Sequence, residues 1–243
     1  MLPQSAEGWA FFLDVDGTLI DIAPTPDSVV VPPDLPGLLE TLSAETGGAV
    51  ALVSGRAIAT LDSLFAPVRL AAAGVHGAEL RFPDGRRETL AAESIDALRP
   101  KLAALAANHP GLLVEDKRVA MAVHYRAAPA LGPVVERALD EMLVGHRDLH
   151  LQPGKMVYEI RPAGTDKGRA VTTFMGVAPF AGRRPFAMGD DLTDESMLAV
   201  ATAAGGAAAR VGQSNGDALG GARFADTEAV RRWLAELVRP HQS

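Results

Sequence analysis

The sequence predicts an α/β fold, a Rossmann-like parallel-sheet core interrupted by an inserted α+β cap domain. Three observations lead there. Short continuous apolar runs at residues 11–13, 49–53, 70–73 and 185–188 alternate with amphipathic stretches. That is the pattern of strands buried on both faces and joined by helical crossovers. Between residues 79 and 161 it gives way to hairpin, helix, hairpin, helix and hairpin, as an antiparallel sheet requires. Polar clusters recur where the apolar runs stop, at the edge where open α/β sheets bind ligands. The expected core is 1–78 with 162–243, and the expected cap 79–161.

The chain has 243 residues, 48% hydrophobic and 22% charged, which is ordinary globular composition. A net charge of −7 argues against nucleic acid or anionic membrane as the partner. The absence of cysteine excludes disulfides and thiol catalysis. No segment approaches the ~20 apolar residues of a membrane span, and the N-terminus lacks a basic, cleavable leader. The expectation is a cytoplasmic monomer whose partner is a small molecule.

The first strand, Phe11 to Leu13, runs into Asp14-Val15-Asp16-Gly17-Thr18. A Pro- and Asp-rich loop over 20–36 follows, and Asp34 is expected to cap a helix reaching about Thr46, with Leu35, Leu38, Leu39 and Leu42 on one face. Gly47-Gly48 stops it before the strand at 49–53, which ends in Ser54-Gly55-Arg56. A short helix leads to the strand at 70–73 and then Gly74-Val75-His76-Gly77. The cap region opens with a hairpin at 79–90 turning at Pro83-Asp84-Gly85, followed by a helix at 94–108. A second hairpin turns at Asp116-Lys117-Arg118, a helix covers 131–144, and a last strand pair turns at Pro153-Gly154. Parallel grammar resumes at Thr165-Asp166-Lys167, with a helix to Met175 and a strand ending in Gly189-Asp190-Asp191. A small strand at 206–211 and an amphipathic helix at 227–238 close the chain. Trp9 and Trp233 read as packing residues.

Four polar groups therefore converge on one sheet edge: Asp14 with Asp16, Ser54, Lys167, and Asp190 with Asp191 and Asp194. Adjacent carboxylates repel one another, a conflict that a divalent cation between them resolves. Each group also has a plainer reading taken alone. Asp-x-Asp-Gly suits a strand-end turn, and Ser54 a helix cap. Lys167 would serve as an exposed lysine after an N-cap, and the Asp190 cluster as a complement to a helix dipole. Their order and spacing together favour a common site.

That order resembles the haloacid dehalogenase-like phosphohydrolases along essentially the whole chain. The resemblance implies Asp14 as nucleophile toward phosphorus and Asp16 as general acid and then base. It implies Ser54 and Lys167 as phosphate-neutralising groups. The Asp14 carboxylate, the Asp16 backbone carbonyl and Asp190 would ligate Mg2+, with Asp191 and Asp194 supporting them. Ser54-Gly55-Arg56, Gly74 to Glu79, Glu115-Asp116-Lys117, His124-Tyr125-Arg126, Tyr158 to Pro162 and Gly189 to Glu195 narrow the resemblance to the trehalose-6-phosphate phosphatases. It implies trehalose 6-phosphate as substrate, with Glu115, Lys117 and Glu159 on the distal glucose. Arg56, His76 and Arg161 join them as further substrate contacts. From the residues alone, Glu115-Asp116-Lys117 also reads as a solvated hairpin tip. Glu159 and Arg161 read as an exposed strand face with a cross-strand ion pair, and His76 as a backbone-bonded hinge residue. Competing functions are a less selective sugar-phosphate phosphatase, a phosphosugar mutase, and a sugar-phosphate sensor without catalysis. The sensor would predict loss of Asp14, Asp16, Lys167 or Asp190, all of which are present.

Overall fold

A computed structural model describes residues 2–23, 25, 28–90, 92–212 and 222–239. In chain order the elements are β1 (Trp9–Leu13), α1 (Leu35–Glu45), β2 (Val50–Val53), α2 (Ile58–Leu64), β3 (Ala71–Gly74), β4 (Glu79–Arg81) and β5 (Arg87–Thr89). Then come α3 (Ser94–Asn108), β6 (Leu113–Asp116), β7 (Met121–His124), α4 (Gly132–Leu143), β8 (Leu149–Gly154) and β9 (Val157–Pro162). The last are α5 (Lys167–Met175), β10 (Arg184–Gly189), α6 (Glu195–Ala203), β11 (Ala207–Val211), β12 (Ala222–Phe224) and α7 (Thr227–Leu237). They form two compact units, Met1–Glu88 with Asp166–Ser243, and Thr89–Thr165.

The first unit is built on an eight-stranded sheet in the order β12-β11-β10-β1-β2-β3-β4-β5, parallel from β12 through β3. β1, β2, β3 and β11 are buried along their whole length, which is why the first three read as unbroken apolar runs. Alternate residues feed two cores. Phe11, Leu13, Val50 and Leu52 pack with Leu35, Leu39 and Leu42 of α1 and Val230 and Leu234 of α7. Ala10, Phe12, Ala51 and Val53 pack with α5 and α6 on the other face. There Phe12 stacks on Phe174 and Phe180, with ring centroids 6.3 and 5.4 Å away. Trp9 and Trp233 are packing residues, both against Phe186.

Two expectations are corrected. Asp34 precedes α1 but makes no side-chain cap, and its backbone is itself helical. Pro36 stands in the first turn and removes one of the N–H groups an Asp cap would accept from. The hairpin at 79–90, expected in the cap, extends the core sheet instead. β4 pairs antiparallel with β3, matching Gly74 to Glu79 and Ala72 to Arg81. Leu80 and Phe82 join the α5-side core, with the Phe82 ring 5.6 Å from that of Phe174. The hairpin pattern was visible in the sequence, but the sheet it extends is set by these tertiary contacts. Pro24, Pro26 and Asp27 of the expected loop lie outside the described residues.

The second unit is an antiparallel sheet in the order β6-β7-β9-β8. One face is apolar: Met121, Val123, Tyr158 and Ile160 pack on Ile95, Leu98 and Leu102 of α3 and on Val135 and Leu139 of α4. The period-2 alternation turns Glu115, Ala122, His124, Glu159 and Arg161 to the opposite face. No helix among the described residues is long and apolar enough to cross a membrane.

Phe12→Ala empties a fully buried ring site between two aromatic neighbours. It should destabilise the protein by about 3–5 kcal/mol. Urea unfolding should report this as a lower midpoint at an unchanged m-value.

Candidate active site

β1 lies between β2 and β10, and in both pairings Leu13 is in register, with Leu52 and Met188 respectively. The three strands therefore end together. Asp14, Ser54 and Asp190 follow within two residues of those ends, at the shared carboxyl edge. Asp14 is buried, with its backbone N–H donating to Met188 O at 3.0 Å. Lys167 opens α5, where Asp166 caps the helix by accepting from Arg169 N at 2.8 Å. The expected N-cap is thus present, and the lysine beside it is buried rather than exposed.

The Lys167 ammonium donates to Asp14 Oδ1 at 2.7 Å and to Asp194 Oδ1 at 2.5 Å. The Thr18 hydroxyl donates to Asp14 Oδ2 at 3.0 Å, so both oxygens of Asp14 are oriented. Asp194 Oδ2 accepts the backbone N–H groups of Asp190 and Asp191, each at 3.0 Å. Asp191 is exposed and closes a reciprocal capping box with Asp194 around the turn Leu192–Asp194. Asp190 reaches over Gly17, where an added Cβ would meet its Oδ2 at 2.2 Å. Gly17 also has φ +82°, so both space and backbone demand glycine.

Asp14, Asp190 and Asp194 can each offer an oxygen within 4.8 Å of the others. Three carboxylates against one ammonium leave a formal excess of two negative charges, which a divalent cation matches. Burial, then repulsion from Asp194, raises the Asp14 pKa well above the carboxylate range despite Lys167. Burial, then Asp194 and Asp191, pushes Asp190 up to about 7. Burial disfavours the charge on Lys167, but Asp14 and Asp194 outweigh it and hold the ammonium protonated. An all-oxygen, charge-deficient cluster suits a hard cation. Asp194 is the most engaged by the protein itself, with Lys167 on one oxygen and two backbone N–H groups on the other.

Ser54 is buried, and its Oγ accepts from Arg56 N at 3.1 Å, which leaves the hydroxyl proton to donate to an anion. Arg56 forms a two-pronged pair with Asp16, Nε to Oδ2 and Nη2 to Oδ1, both at 2.7 Å. Val75 and His76 both have positive φ, 48° and 52°, although neither is glycine. Their N–H groups donate to Arg56 O at 2.9 Å and Ser54 O at 3.0 Å. Such strain next to a site residue persists only where surrounding bonds impose it. The His76 ring lies over Gly55, where an added Cβ would come within 2.7 Å of Nε2. The hinge-like backbone bond and a place beside Ser54 are therefore both features of His76.

In the second unit Lys117 Nζ donates to Glu159 Oε1 at 2.8 Å, and His124 Nε2 donates to Glu115 Oε2 at 2.9 Å. Glu115 and Lys117 make specific partners rather than a solvated tip. Glu159 and Arg161 are buried, not on an exposed face, and Glu159 pairs with Lys117. Arg161 donates to Thr165 O and Oγ1 and to Gln152 Oε1, clamping the end of the unit.

The sequence reading missed Thr18, although its place after Gly17 in the opening motif was the available signal. It also missed the pair of Arg210 with Glu195, Nε to Oε1 at 2.7 Å and Nη2 to Oε2 at 2.6 Å. A lone buried arginine inside the apolar run of β11 required a charged partner.

The parallel sheet with Asp14 at the end of its central strand is a fold shared with solved structures. A haloacid dehalogenase-like hydrolase of Bacillus subtilis superposes with a TM-score of 0.66 at 16% identity, over 94% of this chain and 99% of that one. The Candida albicans trehalose-6-phosphate phosphatase C-terminal domain superposes with a TM-score of 0.80 at 24% identity, over 95% and 92%. In sequence, the family model for trehalose-phosphatase matches residues 12–219. A probable trehalose-phosphate phosphatase of Sinorhizobium fredii is 47% identical over 241 residues, 97% of this chain and 90% of that protein. The trehalose-6-phosphate phosphatase of Escherichia coli is 40% identical over 234 residues, 96% of this chain and 87% of that protein. The chain belongs to the trehalose-phosphatase family, whose members are phosphoric monoester hydrolases.

Asp190→Asn removes one of the mutually repelling, desolvated charges. The metal-free variant should therefore be more stable than the metal-free parent, by about 2–4 °C in Tm for each kcal/mol of relieved repulsion. Paired melts in EDTA would measure it, and an unchanged or lower Tm would contradict the repulsion.

Proposed function

We propose that this protein hydrolyses trehalose 6-phosphate to trehalose and phosphate, with Mg2+, through an aspartyl-phosphate intermediate. The observation that carries the mechanism is the buried Asp14 carboxylate, oriented through Lys167 and Thr18 beside Asp190. The names of the Sinorhizobium fredii and Escherichia coli relatives support the substrate.

Asp14 attacks phosphorus, and the bond from phosphorus to the sugar O6 breaks. Asp16, once it has taken a proton from solvent, gives it to the departing alkoxide, and its one-third-exposed side chain suits that exchange. Asp16 then takes a proton from water, which attacks the phosphorus of the aspartyl phosphate. The bond from phosphorus to Asp14 breaks, phosphate leaves, and both carboxyl groups are restored. Lys167 and Ser54 donate to the phosphoryl oxygens and offset the charge that repels Asp14. Asp14, Asp190 and the backbone carbonyl of Asp16 would hold Mg2+, which when bound neutralises charge between carboxylate and phosphate. The Asp16 side chain, paired with Arg56 in this structure, is not among those ligands and serves proton transfer once that pair opens.

We assign sugar recognition to the second unit, the cap of the sequence reading. Glu115, Lys117 and Glu159 offer two acceptors and a donor, as paired glucose hydroxyls require, and charged partners roughly double the strength of such bonds. Arg161, committed to Thr165 and Gln152, supports that face and is not assigned to the sugar.

The test is phosphate release from trehalose 6-phosphate, sucrose 6-phosphate, glucose 6-phosphate and an aryl phosphate, with Mg2+ and with EDTA. We expect Mg2+-dependent turnover with a strong preference for trehalose 6-phosphate, and no turnover by Asp14→Asn. A flat profile would retain the phosphatase and reject the selectivity. Persistent activity in Asp14→Asn would reject the nucleophile.

A further inference from the structure

On the polar face of the second sheet, Glu115 and Glu159 stand in one cross-strand row with Ala122 between them. Two carboxylates across a single alanine repel each other, and each is held by a different partner. Glu159 is held by Lys117, and Glu115 by His124, which lies two residues beyond Ala122 on the same strand and so on the same face. A carboxylate only accepts, so the His124 Nε2 carries the proton in this bond. The ring is the more covered partner, with 23% of its side chain exposed against 36% for Glu115. It therefore acts as backing for a carboxylate that ligand can still reach.

We propose that His124 is a positioning residue for sugar recognition, fixing Glu115 in the rotamer that accepts from the distal sugar. The inference rests on the assignment of Glu115 to the sugar. A free glutamate side chain samples several rotamers, and ordering it on binding weakens affinity. A carboxylate ordered in advance by the imidazole avoids that cost. The same bond is the main influence holding the Glu115 carboxyl below its ordinary pKa, ahead of Lys117, so the acceptor stays ionised.

The test is a double-mutant cycle of His124→Ala and Glu115→Ala, with kcat and KM measured on trehalose 6-phosphate and on p-nitrophenyl phosphate. His124→Ala should raise KM for trehalose 6-phosphate about tenfold, the scale of one lost hydrogen bond, with kcat and the aryl phosphate little changed. In the Glu115→Ala background the same change should add less than about twofold, because its object is gone. His124→Gln, which keeps a donor of similar reach, should recover most of the loss. His124→Phe, which keeps a ring without a donor, should not. A full additive loss in the Glu115→Ala background would overturn the proposal and make His124 an independent contact. A neutral His124→Ala beside a selective Glu115→Ala would also overturn it. A neutral Glu115→Ala would instead reject the sugar assignment on which it rests. Equal losses on both substrates in Ala and Phe but not Gln, with lowered Tm, would assign His124 to folding.

Discussion

The ammonium of Lys167, buried between Asp14 and Asp194, is the interaction on which the candidate active site depends. A buried lysine would ordinarily lose its proton, and a buried carboxylate would take one up. Here each makes the other's charge tolerable. The balance is incomplete, because Asp190 joins the cluster without a cation of its own. The fold thus gathers three carboxylates around one ammonium at the carboxyl end of its central strand. Such a cluster is a poor stabilising device, since buried ion pairs seldom repay their desolvation. In the proposed function it is a cradle for a divalent cation and a phosphate group.

Everything around the cluster holds it against its own repulsion. β1 is flanked by parallel partners whose ends are in register, so the positions of Asp14, Ser54 and Asp190 are fixed by backbone pairing. Asp194 reaches back to two backbone N–H groups and thereby sets the loop that carries Asp190. The Arg210–Glu195 fork ties the start of α6 to β11 one strand away. The strained residues Val75 and His76 are bonded to the carbonyls on either side of Gly55, which fixes the turn bearing Ser54. Aromatic packing under the sheet, where Phe174 meets Phe12, Phe82 and Phe180, gives this frame a close-packed base.

How much of this was legible in the sequence depends on range. The apolar runs announced β1, β2, β3 and β10 because strands buried on both faces leave no room for alternation. The charged motifs at their ends announced the site for the same reason. The antiparallel character of residues 79–90 was legible, but its attachment to β3 was not. A hairpin pattern says which residues alternate and nothing about which edge they extend. Asp34 misled because capping is judged from residue type, whereas its helical backbone and the N–H missing at Pro36 leave the cap unmade. Partner choice among charged side chains was the least legible. Arg56 could have faced phosphate or sugar, and Arg161 could have stood on an exposed strand face. Only the fold shows Arg56 on Asp16 and Arg161 on Thr165.

The two carboxylates of the opening motif illustrate why so short a spacing can serve two roles in the proposed mechanism. Asp14 closes a strand in the sheet's interior and is desolvated. Asp16, two residues on, lies past the strand end, where a bridge to Ile20 and the positive φ of Gly17 turn the chain. Its carboxylate is one-third exposed and rests on a guanidinium. A nucleophile gains from a fixed, dehydrated setting, while an acid–base group must exchange protons with water and so needs access to it. One strand terminus supplies both environments within a single turn. The Asp-Val-Asp-Gly-Thr order follows from that geometry: burial for the first carboxylate, reversal at the glycine, and a hydroxyl from Thr18 returning to hold the first in place.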